Sequence, residues 1–164
     1  MGELAQFAPN SNAPVTASLW LSIALFVTVV NSPLRREELR KAGVSSTITW
    51  IGVVALAWFS GPILDALDVS APNWRIATGF VLVAGALVDL LGRRVEPLLF
   101  RPELGALAIQ TGRDHGVWAA ALAGGIGLAT LFVWRRPNKA LGRAVALVQI
   151  GLAVLLLLDG VFAL

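Results

Sequence analysis

The residues best placed to do chemistry are polar ones set inside apolar runs. Asn31 and Pro33 close the run that starts near residue 14. Arg101, Pro102, Glu103, Gly105, Ala106, Gln110 and Thr111 lie in 95-VEPLLFRPELGALAIQTGRDHG-116. A proline removes a backbone N–H and clashes with the preceding turn. Each break therefore frees carbonyl groups and starts a new half-helix, whose unpaired N–H groups and positive dipole end attract an anion. The expected chemistry is binding rather than bond-making. The N–H groups of Leu104, Gly105 and Ala106 would take a carboxylate, and Glu103 or Asn31 a cationic group. Ionisable residues at membrane depth are functional candidates because burying them is costly.

Enzyme chemistry has little to stand on. There is no His-Glu-x-x-His and no nucleophile elbow, and one histidine cannot build a metal site alone. With no cysteine in the chain, thiolate chemistry is excluded as well. No enzymatic activity, metal or cofactor is expected. Several polar residues also have plainer readings. Arg101 and Glu103 suit a structural pair at the cytoplasmic surface, and Asp89 an i,i+4 surface pair with Arg93. Asp114 suits a helix cap beside an incidental His115, and Gln149 a hydrogen bond between helices. Trp74, Trp118 and Trp134 suit interface anchors, and Gly124, Gly125 and Gly127 a close helix approach.

The elements that must position these residues are membrane helices. Of 164 residues, 57% are hydrophobic and 14% charged, and mean hydropathy is +0.76; a soluble domain carries about 25% charged residues. The net charge of +3 comes from short basic clusters between apolar runs. That is a topology signal and argues against a nucleic-acid partner. Five apolar segments stand out, at roughly 14–31, 44–64, 73–92, 117–134 and 144–163, each near the ~20 residues a spanning helix needs. The positive-inside rule puts 32–43 and 93–94 in the cytoplasm. Arg135–Arg143 joins them only if 95–112 also crosses, which makes ten of the thirteen Lys and Arg cytoplasmic. The sequence thus predicts an all-α polytopic membrane protein of six transmembrane helices with both termini outside. Leu98–Gly112 would reach only about 22 Å as a helix, so the fourth span is expected to be short, broken near Pro102 and turned into the bundle.

Six spans invite division into halves. A shift of 68 residues pairs Trp50 with Trp118, Arg75 with Arg143 and Gly92 with Gly160, and Pro33 meets Pro102 at a shift of 69. Three spans is an odd number, so the second half would sit inverted. The expected layout is a polar external tail, 1–13, followed by three-helix repeats at 14–94 and 95–164. Inverted repeats with sites at broken helices are a transporter architecture.

The run 61-GPILDALDVSAPNWRIATGFVLVAGALVDLL-91, with its turn Val69-Ser70-Ala71-Pro72-Asn73-Trp74-Arg75-Ile76-Ala77, resembles the MarC/SnatA-like integral membrane proteins. The tail 143-RAVALVQIGLAVLLLLDGVFAL-164 is similar to that family's last helix. The resemblance implies six spans in two inverted halves and transport of small neutral amino acids, within a LysE-like group. It implies substrate contact at Pro102, Gly105 and Ala106, which match the family's second polar break. Small zwitterionic solutes and the lipid bilayer are the implied partners, and the prokaryotic cytoplasmic (inner) membrane the implied location. The chain departs from the family at Asn31-Ser32-Pro33, where a serine is inserted, and at Arg101-Pro102-Glu103, where glycines are missing. The alternative those departures raise is a non-transporting accessory or structural subunit of a larger membrane complex.

Overall fold

The computed structural model describes residues 13–31, 43–91, 101–133 and 139–164, and all the regular elements among them are helices. They are α1 (Ala13–Val30), α2 (Gly43–Trp58), α3 (Ser60–Ala66), α4 (Ala71–Leu90), α5 (Pro102–His115), α6 (Val117–Val133) and α7 (Lys139–Phe162). By length and composition, α4 and the Gly142–Phe162 part of α7 can each cross a membrane. Ser46–Trp58 and Ser60–Ala66 make a third span if the 58° bend between them is taken as a break within one crossing. Those are the helices of a membrane protein. The expected single span 44–64 is thus two helices meeting at Phe59, and the expected six spans are matched by two or three among the described residues.

Local sequence explains the helix ends. Gly61 and Pro62 follow the bend, and α3 stops in a Schellman motif: Val69 N–H donates to the Leu64 carbonyl and Asp68 N–H to that of Asp65, with Asp68 at φ 51°. Ser70 then caps α4 by accepting from Asn73 N–H, and Pro72 sits in the first turn, where no N–H is needed. Pro102 starts α5 for the same reason. Gly116, at φ 85°, closes α5 and turns the chain straight into α6.

Helix α5 is the hub. It packs against α1, α2, α3, α4 and α6, and from Glu103 to Gly112 only Gly105 is not fully buried. Leu104, Leu107 and Ala108 join Leu25, Phe26 and Leu82 in the apolar core. Large apolar side chains elsewhere point outward, among them Trp20, Trp58, Phe80, Trp118, Leu155 and Phe162. A surface this apolar suits lipid rather than water.

Glycines set the helix spacing. Gly112 lies on the backbone of Ala57, Gly127 on that of Phe26, and Gly79 and Gly160 bring α4 and α7 together beside Leu157 and Ile76. The close approach expected of 124–127 is present at Gly124, against Val53, and at Gly127. These contacts make α1 run parallel to α6, α2 parallel to α5, and α4 antiparallel to α5 and α7. Consequently α1 and α6 begin, and α7 ends, at the end of the bundle that holds Asp114. At the opposite end, which holds Arg101, α1, α4 and α6 finish and α7 begins.

Candidate functional site

The beginning of α5 carries a buried charged cluster. Arg101 is the N-cap residue, with extended φ/ψ of −87° and 116°, and its own side chain does not cap the helix. Its guanidinium turns instead to α4, where Nη2 lies 3.3 Å from Asp89 Oδ1. Nη1 lies 3.8 Å from Glu103 Oε1. Side-chain exposure is 0% for Arg101 and Glu103 and 2% for Asp89, so this is an interior cluster and the surface reading of Arg101–Glu103 is overturned; the partner expected for Asp89 is Arg93. Arg93 lies outside the described residues. Gly85, one turn before Asp89 on α4, makes room for the Glu103 carboxylate: a Cβ there would collide with it.

Burying three charged side chains is expensive, and mutual attraction offsets the cost only where geometry and hydrogen bonds are good. Here the geometry is incomplete. Nε and Nη1 of Arg101 are buried and have no hydrogen-bond partner. Arg101 also borders a pocket between α2 and the start of α5, with Ile48, Thr49, Gly52, Val53, Leu56, Leu104 and Gly105 as the other lining residues. The backbone contribution differs from expectation. Gly105 N–H is taken by the Arg101 carbonyl at 3.3 Å, and Ala106 N–H lies beyond the unpaired first turn. Because Pro102 has no N–H and Gly105 N–H is taken, the first turn of α5 has Leu104 N–H as its candidate donor.

The other sequence-derived candidates divide between two places. Asn31, at the Arg101 end, donates to the Val27 carbonyl at 2.8 Å and to Thr130 Oγ1 on α6. Ser32 and Pro33 lie outside the described residues. Ala106 is buried on α5. Gln110 and Thr111 are also buried, but two turns further along, towards Asp114. Gln110 donates to the Asp114 carboxylate. Asp114 is no helix cap: its Oδ2 accepts from Arg75 Nε at 3.0 Å, and Arg75 Nη1 reaches Asp159 Oδ2 at 3.2 Å. Gln149 hydrogen-bonds between helices as expected, donating to the Leu82 carbonyl at 3.2 Å. Trp118 is 85% exposed, as an anchor requires, whereas the Trp74 indole nitrogen is buried; Trp134 lies outside the described residues.

No family model, curated protein or solved structure matches this chain. Its site has to be understood from its own geometry.

Sequence reasoning singled out the α5 residues and missed their α4 partners. Arg75, Thr78, Leu82, Gly85 and Asp89 recur at intervals of three and four, which places them on one helix face. The facing stripe on α5 is Glu103, Leu107, Gln110 and Asp114. Charged residues and a glycine sharing one stripe of an otherwise apolar helix was the available signal. The result is a seam with a charged cluster at each end and Leu82 and Leu107, both fully buried, between them.

Proposed function

We propose that this protein is a six-span transporter-like protein of the cytoplasmic membrane, moving small neutral amino acids by alternating access, with the start of α5 as its inner binding site. The observation that carries the reading is Arg101. A guanidinium sequestered at a helix start, with two N–H-bearing nitrogens unsatisfied, is costly to keep and suited to a carboxylate. The N–H group of Leu104 adds to the anion site, and the Glu103 carboxylate suits an ammonium group.

The packing pattern supports two inverted halves. Exchange the first three helical units for the last three, so that α1 becomes α5, α2 with α3 becomes α6, and α4 becomes α7. The α1–α6 contact then becomes α5–α2, and α4–α5 becomes α7–α1, both of which exist. The pairs α4–α7, α2–α6 and α1–α5 map onto themselves. The close α5–α6 hairpin is the departure from this pattern. Inverted repeats of this kind place binding sites at broken helices near their junction. With the basic clusters inside, the Arg101 end faces the cytoplasm and the Asp114 end faces out.

The accessory-subunit reading draws on a different observation: Gly85, Gly112 and Gly127 are packed so tightly that side chains there would strike their neighbours. A bundle locked by such contacts suits a structural role. Flux decides between the two. Purified protein in vesicles is expected to accumulate labelled glycine, alanine or serine over protein-free vesicles; absence of flux for all three leaves the accessory reading in place.

A further inference from the structure

The outer half of the α4–α5 seam contains polar atoms that neither the fold nor the inner site uses. Thr78 Oγ1, Gln110 Oε1 and Thr111 Oγ1 are buried without a hydrogen-bond partner, and so is Trp74 Nε1. The residues Thr78, Gln110 and Thr111 are 1%, 3% and 0% exposed. The register of the two helices is fixed by three contacts, Arg75 to Asp114, Gly85 to Glu103 and Asp89 to Arg101. In that register Thr78 stands level with Gln110 and Thr111, one turn inside the Arg75–Asp114 ion pair. Buried polar groups in native proteins almost always find partners. Three such atoms gathered at one level of an apolar bundle therefore mark a place for a polar guest.

The groups around them define the guest. Arg75 offers a guanidinium to a carboxylate, and Asp114 and Asp159 offer carboxylates to an ammonium group; all three are already arranged in one network, with Asp159 52% exposed at its outer edge. Gln110 Oε1 can only accept a hydrogen bond, whereas the hydroxyls of Thr78 and Thr111 can donate or accept. A ligand hydroxyl satisfies both kinds at once, donating to Gln110 and accepting from a threonine. From this we infer that the Arg75–Asp114 end of the seam is a second, outer subsite that selects small zwitterions bearing a hydroxyl. The inference rests on the transporter reading and names its preferred substrate class. Leu82 and Leu107 separate this subsite from the Arg101 cluster, so each can be occupied from one side of the membrane.

The test exploits serine and alanine, which differ by that hydroxyl. Oriented membrane vesicles containing the full chain are given labelled serine or alanine at the Asp114 face or at the Arg101 face. Thr111→Val keeps the side-chain shape and removes an oxygen that bonds nothing in the fold. It is expected to raise the KM for serine at the Asp114 face about tenfold, the worth of one lost hydrogen bond in a site built for it. The KM for alanine, and both KM values at the other face, are expected to stay within twofold. Thr78→Val serves as the second variant. Equal effects on serine and alanine, or no effect at the Asp114 face, overturn the subsite. Should the parent carry no flux, the transporter reading fails on its own, and titration calorimetry on the purified chain judges the subsite. Saturable serine binding that Thr111→Val weakens and alanine does not match supports it, and no serine binding overturns it.

Discussion

Arg75 Nε lies 3.0 Å from Asp114 Oδ2, and the same two helices meet again at their other end with the charges exchanged, Arg101 Nη2 standing 3.3 Å from Asp89 Oδ1. Helices α4 and α5 are thus pinned at both ends by crossed ion pairs, and between them lie three polar side chains and a pair of leucines. The Arg75–Asp114 pair is part-exposed and the Arg101–Asp89 pair sealed. Exposed pairs contribute little, whereas removing one partner of a buried pair strands a charge. The Arg101–Asp89 end therefore weighs more on stability than the Arg75–Asp114 end.

The buried pair should betray itself in a double-mutant cycle. Asp89→Asn and Arg101→Gln are each expected to cost about 3–5 kcal/mol in unfolding experiments in detergent. The double variant should cost much less than the two combined, because neither charge is then stranded. Additive losses would mean that the two side chains do not act as a pair.

Gly85→Ala should destabilise the protein by about 2–3 kcal/mol, since the added methyl displaces the Glu103 carboxylate. Gly52 provides the control. A Cβ there meets nothing within 4 Å, so Gly52→Ala should shift stability by no more than about 1 kcal/mol, in the stabilising direction that helix propensity favours. Thermal unfolding of the two variants side by side checks the contrast.

Much of α5 was legible in the sequence, and its partners were not. Pro102 and the residues beside it act locally: a ring without an N–H starts a helix wherever it sits, and charges inside an apolar run are conspicuous. The positions of α1, α4, α6 and α7 follow from apolar run length in the same way. The pairing of Asp89 with Arg101 depends on which face α4 turns to α5. In a bundle apolar both inside and out, periodicity barely distinguishes those faces. The Asp89–Arg101 pair was missed for that reason, because the two residues stand twelve apart in sequence and belong to different helices. The bend at Phe59 was equally hidden: Gly61 and Pro62 were visible, but apolar length alone read straight through them.

Unsatisfied hydroxyls should trade stability for binding. Thr111→Val and Thr78→Val each replace a buried oxygen without a partner by a methyl group of similar shape. Each is expected to raise the stability of the empty protein by about 1 kcal/mol. Unfolding with and without serine is the measurement, and the variants should gain less from added serine than the parent does.

Topology can be read by labelling single cysteines in a chain that naturally has none. His115→Cys and Leu164→Cys should react with an impermeant thiol reagent in intact cells, and Arg143→Cys only after the cytoplasmic face is opened. Position 115 is the last residue of α5, so its reaction reports directly whether α5 completes a crossing.

The most direct test of the central claim is flux of small neutral amino acids through vesicles containing the parent, Arg101→Gln and Gly105→Leu. Gly105 lines the pocket beside Arg101, and a Cβ there reaches only Leu56 Cδ1, at 3.6 Å. A leucine can therefore occupy the pocket and leave the bundle folded. The account predicts saturable flux by the parent and none by either variant, with Gly105→Leu retaining the parent's unfolding temperature to within a few degrees. Parent-level flux through Gly105→Leu, or no flux by the parent, would contradict it.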